Sequence, residues 1–215
     1  SLTGKTILVN AGPTYERLDP VRFIGNYSSG KMGKAIANEL ARRGAYVHLV
    51  LGPASTDGID AKVQLTHIES AEEMYETCTA IFSKCDAAIL SAAVADYRPA
   101  SRADQKIKKN DDTLSLKLIK TKDVLYNLGK TKKEHQTLVG FALETQNEYD
   151  NAVIKLEKKN LDFIVLNSMN DIGAGFGTDT NKVTILERNG KNHNFDTKPK
   201  TEVAKDIVSL LSTYL

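Results

Sequence analysis

The chain has 215 residues, of which 41% are hydrophobic and 26% charged, and its formal net charge is +2 at pH 7. This balance is typical of a soluble globular protein, and the length allows one α/β domain over residues 1–215 whose core needs neither disulfides nor structural metals. The small net charge gives no reason to expect nucleic acid as a partner, and no apolar run approaches the ~18 residues of a membrane span, so we expect a cytoplasmic protein that binds no membrane.

The first half of the chain alternates between strand and helix patterns. Thr6–Asn10 predicts a strand that ends at a Gly-Pro turn, and Lys31–Arg43 has the 3.6-residue period of an amphipathic helix. Ser70–Ser83 begins with Ser and carries Glu three residues later, which predicts a helix with a capping box. The other strands predicted in this half are Tyr46–Leu51, Val63–Ile68 and Asp86–Val94, the last made mostly of small residues.

The second half continues the alternation after a charged interruption. Residues 97–113 contain proline and many charges but few apolar side chains, which predicts a loop. Lys182–Arg188 and His193–Phe195, separated by Asn189-Gly190, form the strongest hairpin signal of the chain. The remaining predicted elements are strands at Leu114–Ile119, Leu138–Leu143 and Phe163–Asn167, and helices at Lys122–Leu128, Glu148–Lys159 and Thr201–Leu215.

This alternation predicts a Rossmann-like α/β fold, with a mainly parallel sheet, helices on both faces and a C-terminal hairpin. Ligands of such sheets bind beyond the carboxyl ends of the strands, where the strand order reverses. Residues that directly follow strands are therefore the first site candidates: Ala11-Gly12-Pro13, Ala95-Asp96 and Asn167-Ser168.

The cysteines and histidines suggest no metal centre and no covalent catalyst. Cys78 and Cys85 form no CxxC pair, and the four histidines are scattered along the chain. We expect two reduced, half-buried thiols, and the sequence assigns no metal ligands.

An anion site is expected in Gly25–Gly33, where glycine and serine crowd the start of the first helix. Unpaired backbone N–H groups and the helix dipole favour negative charge there. The spacing nearly matches the phosphate-binding P-loop, but Met32 stands where that loop needs a magnesium-binding hydroxyl. A phosphate or carboxylate cradle of another type is the favoured interpretation, and a true P-loop or a helix start without a ligand are the alternatives.

Two further segments carry candidate chemistry. The strand end Ala92–Ala95 leaves room for a flat ligand, and Asp96 could accept from hydroxyls or an exocyclic amine, or simply cap a turn. From Arg98 to Lys133 there are eleven Lys or Arg against four Asp, which indicates a mobile basic lid at about 97–113 that neutralises a triphosphate, or else a solvated face. Lys155 and Lys159 lie four residues apart on one helix face, where they could hold a phosphate or face solvent.

Seven segments, in this order, resemble the bacterial phosphopantothenoylcysteine synthetase family. They are Asn10–Asp19, Pro20–Gly33, Ala92–Arg98, Lys106–Lys109, Gly140–Thr145, Lys159–Asp162 and Gly175–Asn181. The resemblance implies a ligase of coenzyme A biosynthesis that uses CTP as co-substrate together with Mg²⁺. In that reaction, 4'-phosphopantothenate and CTP form an acyl-cytidylate and release pyrophosphate, and L-cysteine then displaces CMP to give an amide.

The resemblance also implies residue roles. Asn26 would orient the acyl group and stabilise charge on the reacting carbonyl, and Lys106 would be the lid lysine at the phosphates. The residues implied for nucleotide binding are Asp96, Lys106, Lys122, Asp123, Val124, Leu125, Phe141, Lys155 and Lys159. The residues expected to bind the substrate and its phosphate are Gly12, Ser28, Ser29, Gly30, Lys31, Ala92 and Ala93. Where the family usually has Asn-Pro-Asp this chain has Thr121-Lys122-Asp123, so a contact at Lys122 would use its backbone.

Members of this family are dimers whose site is completed across the interface, and in many bacteria the domain is fused to a flavin-dependent decarboxylase. The resemblance therefore implies a homodimer and allows such a fusion. The alternatives are a nucleotide-binding oxidoreductase or P-loop hydrolase on the same sheet, and a ligand-binding module without catalysis. No G-x-G-x-x-G follows a strand, which speaks against the oxidoreductase.

Overall fold

The computed structural model describes residues 1–108, 113–144, 146–168 and 177–215. Lys109, Thr145 and the Gly175-Phe176 pair, which belong to predicted motifs, lie outside these ranges. Five helices occur within them: α1 (Lys31–Arg42), α2 (Ala71–Phe82), α3 (Val124–Thr131), α4 (Glu148–Lys158) and α5 (Lys200–Leu211). The strands of the same ranges are β1 (Thr6–Ala11), β2 (Glu16–Arg17), β3 (Phe23–Ile24), β4 (Tyr46–Leu51), β5 (Gln64–His67), β6 (Ala87–Leu90), β7 (Tyr97–Pro99), β8 (Leu118–Lys120), β9 (Thr137–Glu144), β10 (Phe163–Ser168), β11 (Thr180–Asn181), β12 (Val183–Glu187), β13 (Asn192–Asn194) and β14 (Lys198–Pro199). No helix among the described residues is long and apolar enough to cross a membrane.

One sheet of eight strands organises the molecule, in the order β13-β12-β10-β9-β6-β1-β4-β5. The strands from β10 to β5 pair in parallel, and the C-terminal hairpin β12–β13 adds two antiparallel strands at one edge. The chain leaves β1 for β4 on one side and later returns to β6 on the other side. The strand order therefore reverses between β1 and β6, which confirms the predicted fold class and sets the place of the ligand crevice.

Side chains of β1 alternate between two cores, one on each face of the sheet. Ile7 and Val9 pack with apolar residues of α1 and α5, whereas Leu8 packs on the other face with α2, α3 and α4. All three side chains are fully buried. Burial on both faces explains why the strand reads as a continuous apolar run, and each side chain of this size stabilises the fold by about 1.5–3 kcal/mol.

Two predicted strands are shorter than expected. The predicted Asp86–Val94 strand ends at Leu90, because the regular ladder with β1 is interrupted where the Ala92 N–H donates to the buried Asn10 side chain (2.9 Å). The predicted Leu114–Ile119 strand is reduced to β8, which pairs with β7 outside the main sheet. Residues 97–113, predicted as a loop, thus begin with a strand, which the Tyr-Arg-Pro sequence does not signal.

The predicted capping box of α2 is present in a modified form. The Ser70 hydroxyl accepts from the Glu73 N–H (3.2 Å), while the Glu73 carboxylate accepts from the Glu69 N–H (2.8 Å). In the usual motif this carboxylate accepts from the N–H of the capping residue itself, so the second hydrogen bond here ends one residue earlier in the chain. The helix starts where the sequence predicts.

Glu39 links α1 to α5. Its carboxylate is 6% exposed and accepts from the guanidinium groups of Arg42 (2.7 and 2.8 Å) and Arg43 (2.6 Å). Arg43 in turn donates to the Lys205 carbonyl and the Ser209 hydroxyl on α5, both at 3.0 Å. The hydrogen bond from Arg42 lowers the pKa of Glu39 below its ordinary 4.5, although burial acts in the opposite direction.

We expect Glu39→Gln to lower the free energy of unfolding at about pH 7 by about 1–3 kcal/mol, because two arginines lose their buried partner. Since the pKa of Glu39 is lower in the folded state, its stabilisation is complete above about pH 4.5 and disappears as the pH falls through the folded pKa. Urea unfolding across this range should therefore show the variant approaching the wild type in acid.

Glu202→Gln is the matched control, because Glu202 and Lys205 form an exposed pair on α5. It should change the free energy of unfolding by no more than about 0.5 kcal/mol. A Glu39→Gln deficit that stays constant from neutral to acid pH would refute the ionic origin of the effect.

Candidate functional site

Two adjoining cavities lie where β1 and β6 end. The α3 cavity, of about 440 Å³, is lined by Asn10 and Leu90 at these strand ends and by the start of α3. The α1 cavity, of about 280 Å³, is lined by Ser28–Gly33 at the start of α1 and by Ser91–Val94. The residues common to both linings are Ala92, Val94, Asp96, Phe141 and Lys155. The two cavities therefore form one continuous site at the predicted topological crevice.

The α3 cavity collects the residues implied for nucleotide binding, apart from Lys106. Those that line it are Asp96, Lys122, Asp123, Val124, Leu125, Phe141, Lys155 and Lys159. They come from four separate parts of the chain, and the sheet brings them together at the ends of β6 and β9.

Two lysines of α4 face this cavity. The Lys159 ammonium pairs with a carboxylate oxygen of Asp123 (2.8 Å), and the Lys155 ammonium donates to the Phe141 carbonyl (2.8 Å). The other oxygen of Asp123 accepts from the Tyr126 N–H (2.9 Å), so this carboxylate also caps α3. Both ammonium groups are thus held in position beside the cavity, in an arrangement suited to a polyphosphate.

Asp96 reaches both cavities from a short turn. Its main-chain carbonyl accepts from the Thr121 N–H (2.9 Å), and the Thr121 hydroxyl donates to the Ala95 carbonyl (2.6 Å). These bonds fix the turn, while the Asp96 carboxylate is exposed and hydrogen-bonds to none of the described groups. It is therefore available to accept hydrogen bonds from a ligand.

The Lys122 ammonium is engaged elsewhere. It pairs with Glu72 on α2 (2.5 Å) and lies 4.6 Å from the centre of the Tyr75 ring. This geometry agrees with the expectation that Lys122 would meet a ligand through its backbone.

The start of α1 lines the α1 cavity and has the geometry of an anion site. Gly30 precedes the helix in the left-handed conformation (φ 71°), and neither a side-chain cap nor an acidic residue occupies the first turn. The first helical hydrogen bond in this turn runs from the Lys34 N–H to the Gly30 carbonyl (3.0 Å). The N–H groups of residues 31–33 precede that bond and have no intrahelical acceptor, which is the arrangement that binds phosphate at helix N-termini.

Gly33 allows α1 to approach the strand ends closely. A Cβ atom at this position would lie 2.4 Å from the Ala11 Cβ and 2.6 Å from the Ser91 hydroxyl. Sequence reasoning treated Gly33 only as part of a glycine-rich pattern, although its spacing from Gly30 is typical of close helix–strand packing.

Asn26 lies against the wall of the α1 cavity rather than in its lining. Its side-chain amide donates to the Ala93 carbonyl (2.6 Å), and the Ala93 N–H donates to the Gly12 carbonyl (2.9 Å). Gly12 in turn lies directly behind Gly30, within 3.4 Å of where a Gly30 Cβ would be. Asn26, Gly12 and Ala93 thus form one connected unit next to the α1 cavity.

Lys106 is not brought to either cavity of the chain. Its side chain is exposed and lies outside both linings. This is the one residue implied for nucleotide binding that the fold of a single chain leaves apart from the others.

The arrangement around α1 differs from a P-loop. Met32 lines the α1 cavity, but its apolar side chain is 9% exposed and packs in the core, so no hydroxyl stands where a P-loop needs one. The Lys31 ammonium pairs with Asp179 (2.7 Å) and donates to the Gly177 carbonyl (3.0 Å). Lys31 therefore ties the loop before β11 to the mouth of the α1 cavity.

Sequence reasoning missed two polar residues of the α1 cavity, Lys200 and Asn181. Lys200 is 8% exposed at the first position of α5, and its ammonium donates to the Thr178 and Thr180 carbonyls. Burial lowers the pKa of Lys200, and the positive charge of the neighbouring Lys31 lowers it further. Asn181 donates to the Asn167 side chain (3.2 Å), and both line the cavity. Their wide separation in sequence gave no spacing signal.

The thiols are unsuited to catalysis. Cys78 and Cys85 are free, as expected, but more deeply buried than expected, and burial raises the pKa of Cys78 to about 12 and that of Cys85 to about 11. No group of three or more His, Cys, Asp or Glu side chains could hold a metal ion within the described parts of the chain.

Comparison with known proteins identifies relatives that match nearly the whole chain. The profile of the family described as DNA/pantothenate metabolism flavoprotein C-terminal domain matches residues 2–214. A relative called Cysteine/Cysteine sulfinic acid decarboxylase, from an unknown prokaryotic organism, is 49% identical over 99% of this chain and 59% of its own length. The Coenzyme A biosynthesis bifunctional protein CoaBC of Bacillus subtilis (strain 168) is 44% identical over 96% of this chain and 51% of its own length. The chain thus spans between half and three-fifths of the length of these curated relatives.

Solved structures agree with the fold. The crystal structure of the C-terminal domain of CoaBC is 41% identical, with a TM-score of 0.82 and coverage of 99% of this chain and 98% of that one. The DNA/pantothenate metabolism flavoprotein from Streptococcus pneumoniae is 26% identical, with a TM-score of 0.84 and coverage of 99% and 100%. The predicted mainly parallel α/β architecture is confirmed by both.

If the α3 cavity binds CTP, as the resemblance implies, Lys159→Ala should weaken that binding by about 10- to 100-fold, because a charged hydrogen-bond donor leaves the cavity. Lys158→Ala is the matched control, because Lys158 is exposed on the same helix and lies outside both cavities. Titration calorimetry with CTP measures both variants. Equal weakening by the two substitutions would show that only the general charge of α4 matters.

Proposed function

The chain belongs to the family of DNA/pantothenate metabolism flavoprotein C-terminal domains, and we propose that it is a CTP-dependent phosphopantothenate–cysteine ligase of coenzyme A biosynthesis. The observation that carries this proposal is the continuity of the two cavities. One is lined by the residues implied for the nucleotide, and the other is formed by an uncapped helix start suited to a phosphate. The CoaBC proteins, which are named for coenzyme A biosynthesis, support the assignment.

In the proposed reaction, CTP occupies the α3 cavity and 4'-phosphopantothenate places its phosphate at the start of α1. A carboxylate oxygen of the substrate attacks the α-phosphorus of CTP, and the bond from that phosphorus to pyrophosphate breaks. The amine of L-cysteine then attacks the acyl carbon and loses a proton, while the bond from that carbon to the CMP oxygen breaks. The protein's contribution is to hold two anions together and to offset their charge.

The residues that line the two cavities support this division. Ala92 and Ala93 leave space beside the backbone where the acyl group and the α-phosphate would meet. The Lys155 and Lys159 ammonium groups would offset the triphosphate, and Lys31 and the α1 N–H groups would offset the substrate phosphate. Asp96 would accept from the cytosine amine or a ribose hydroxyl.

Asn26 is the proposed catalytic amide. Its Nδ2 carries two hydrogens, and while one donates to the Ala93 carbonyl at the cavity wall, the other would donate to the carbonyl of the acyl-cytidylate. There it would orient the acyl group and stabilise the charge that develops as the cysteine amine attacks.

The residues fit a Mg²⁺ ion that arrives with the nucleotide. The carboxylates lining the α3 cavity among the described residues are Asp96 and Asp123, and Asp123 is paired with Lys159. We therefore propose that the triphosphate itself supplies most of the ligands. When bound, the ion would neutralise phosphate charge.

A homodimer is part of the proposal, because Lys106 lies outside the cavities of its own chain. Large apolar side chains are exposed on the segments near Asn26, with Tyr27 92% exposed and Val21 and Phe23 about half exposed. The basic segment is the stretch at about residues 97–113 that the sequence predicts as a lid. Leu114, Leu116 and Leu118, which follow it, are exposed as well. Such a surface supports contact with a second copy, and the basic segment of one subunit would then act as the lid that carries Lys106 to the partner's triphosphate.

The proposal extends to the wider context of the chain. Curated relatives about twice as long as this chain, one named bifunctional and another named a decarboxylase, support a flavin-dependent decarboxylase on the same polypeptide. The two free thiols support a cytoplasmic location. The geometry of Met32 and Lys31 disfavours a P-loop hydrolase, and nothing in the described cavities favours an oxidoreductase.

We expect pyrophosphate release to require CTP, 4'-phosphopantothenate and Mg²⁺ together, and Asn26→Asp to lower kcat by about 100-fold or more, because the donor to the reacting carbonyl is lost. A coupled pyrophosphate assay measures both. Asn38→Asp is the control, since Asn38 also donates to a backbone carbonyl, that of Gly58 (2.6 Å), outside these cavities. Full turnover with ATP in place of CTP would overturn the nucleotide assignment, and a fold-intact Asn26→Asp enzyme with normal kcat would overturn the role of Asn26.

Subunit mixing tests the shared site. If Lys106 acts on the partner's nucleotide, Lys106→Ala and Asn26→Asp subunits, each with only a small residual activity alone, should complement each other after exchange. Half of the dimers are then mixed and each has one intact site, so about a quarter of the wild-type activity should return. No recovery in verified mixed dimers would place Lys106 in its own subunit's site.

A further inference from the structure

We infer that Asp19 is a positioning residue that fixes residues 103–107 of the basic segment and thereby the placement of Lys106. This inference rests on the proposed function only in that Lys106 is taken to act on the triphosphate. The contacts of Asp19 with the basic segment stand independently of that function.

The Asp19 carboxylate is a buried hub. The residue is 1% exposed, and Oδ1 accepts from the backbone N–H groups of Val21 and Arg22, both at 2.8 Å. Oδ2 accepts from the Arg22 guanidinium (3.0 and 2.5 Å) and from the Ile107 N–H (3.1 Å). A buried carboxylate with this many hydrogen-bond donors fixes the positions of all of them, because moving one donor away leaves the buried negative charge without a hydrogen bond.

The Ile107 contact is what connects Asp19 to Lys106. The N–H that Asp19 accepts belongs to the Lys106–Ile107 peptide bond, and the Ile107 carbonyl accepts from the Arg22 guanidinium (2.9 Å). Four residues earlier, the Ala103 N–H donates to the Leu18 carbonyl (2.9 Å). Residues 103–107 are therefore held at both ends against residues 18–22.

The Lys106 side chain needs this indirect support. It is exposed, and its ammonium hydrogen-bonds to no described residue, so its location depends on the backbone beneath it. The same turn leads through β3 to Asn26, since Arg22 directly precedes β3. Asp19 thus joins the segment that carries Lys106 to the segment that carries Asn26.

The carboxylate keeps its charge under ordinary conditions. The hydrogen bond from Arg22 lowers the pKa of Asp19 well below its ordinary range, against the opposing effect of burial, and the backbone N–H groups lower it further. Asp19→Asn keeps the shape of the side chain but removes its charge and replaces one acceptor oxygen with a donor. The donors at one oxygen position therefore lose their acceptor, and those at the other position meet a weaker one.

Kinetics test whether Asp19 acts through Lys106. Asp19→Asn should lower kcat/KM for CTP by about 10- to 100-fold in the wild-type background, but by less than about threefold in a Lys106→Ala background. Equal losses in the two backgrounds would show a general structural role and overturn the inference. Arg22→Lys, which keeps the charge but not the paired geometry, is the second variant if Asp19→Asn fails to fold.

Glu69→Gln is the matched control. Glu69 forms a paired contact with Arg17 (2.5 and 2.6 Å) on the neighbouring β2, and it has no hydrogen bond to residues 103–107 within the described parts of the chain. The control should change kcat/KM by less than about twofold in either background. A loss as large as that of Asp19→Asn would refute a specific role for Asp19.

Hydrogen exchange separates this inference from the proposed function. The Ile107 amide should exchange at least about tenfold faster in Asp19→Asn than in wild type, and Glu69→Gln should leave it unchanged. If the wild type shows no CTP-dependent turnover but the exchange difference appears, the ligase assignment fails and the anchoring by Asp19 stands. Unchanged exchange in the folded variant would overturn the inference even in an active ligase.

Discussion

The close approach of α1 to the ends of β1 and β6 is the constraint on which the whole site depends. A side chain at Gly33 would overlap Ala11 and Ser91, so only glycine lets the helix start sit directly on the strand ends. That contact aims the free N–H groups of the first turn into the crevice where the strand order reverses. The positive end of the helix and the exposed backbone of Ala92 and Ala93 are thereby placed within one cavity.

The cations around this crevice have internal partners that hold them in place. Lys159 is paired with Asp123, Lys31 with Asp179, and Lys155 donates to a backbone carbonyl. These partners lower the cost of keeping several positive charges close together, and they fix the ammonium groups before a ligand arrives. A phosphate group offers more charge than a carbonyl and more acceptor oxygens than a carboxylate, so it can strengthen these contacts without large movement of the protein.

The fold could be predicted from the sequence because its strands are buried on both faces and its helices are clearly amphipathic. Errors arose where tertiary hydrogen bonds overrode local pattern, as when the Asn10 side chain interrupts the ladder between β1 and β6 after Leu90. Position and spacing indicated Asp96, Lys155 and Lys159 as possible ligand contacts. Their assignment to a nucleotide, together with Phe141, came only through resemblance, because these residues share no local motif. Lys200 was missed for the same reason, because its neighbours Thr178 and Thr180 meet it only in the folded chain.

The different settings of Asn26 and Lys106 follow from what each must do in the proposed reaction. Asn26 is fixed in the cavity wall by Ala93, which suits a group that must meet a carbonyl in one orientation. A lysine that meets a triphosphate must instead stay hydrated until the nucleotide arrives, because burying an unpaired ammonium costs more than a single hydrogen bond returns. Because Lys106 is exposed, its charge remains in water. Because its backbone is anchored, the segment that carries it keeps its position relative to the rest of the site.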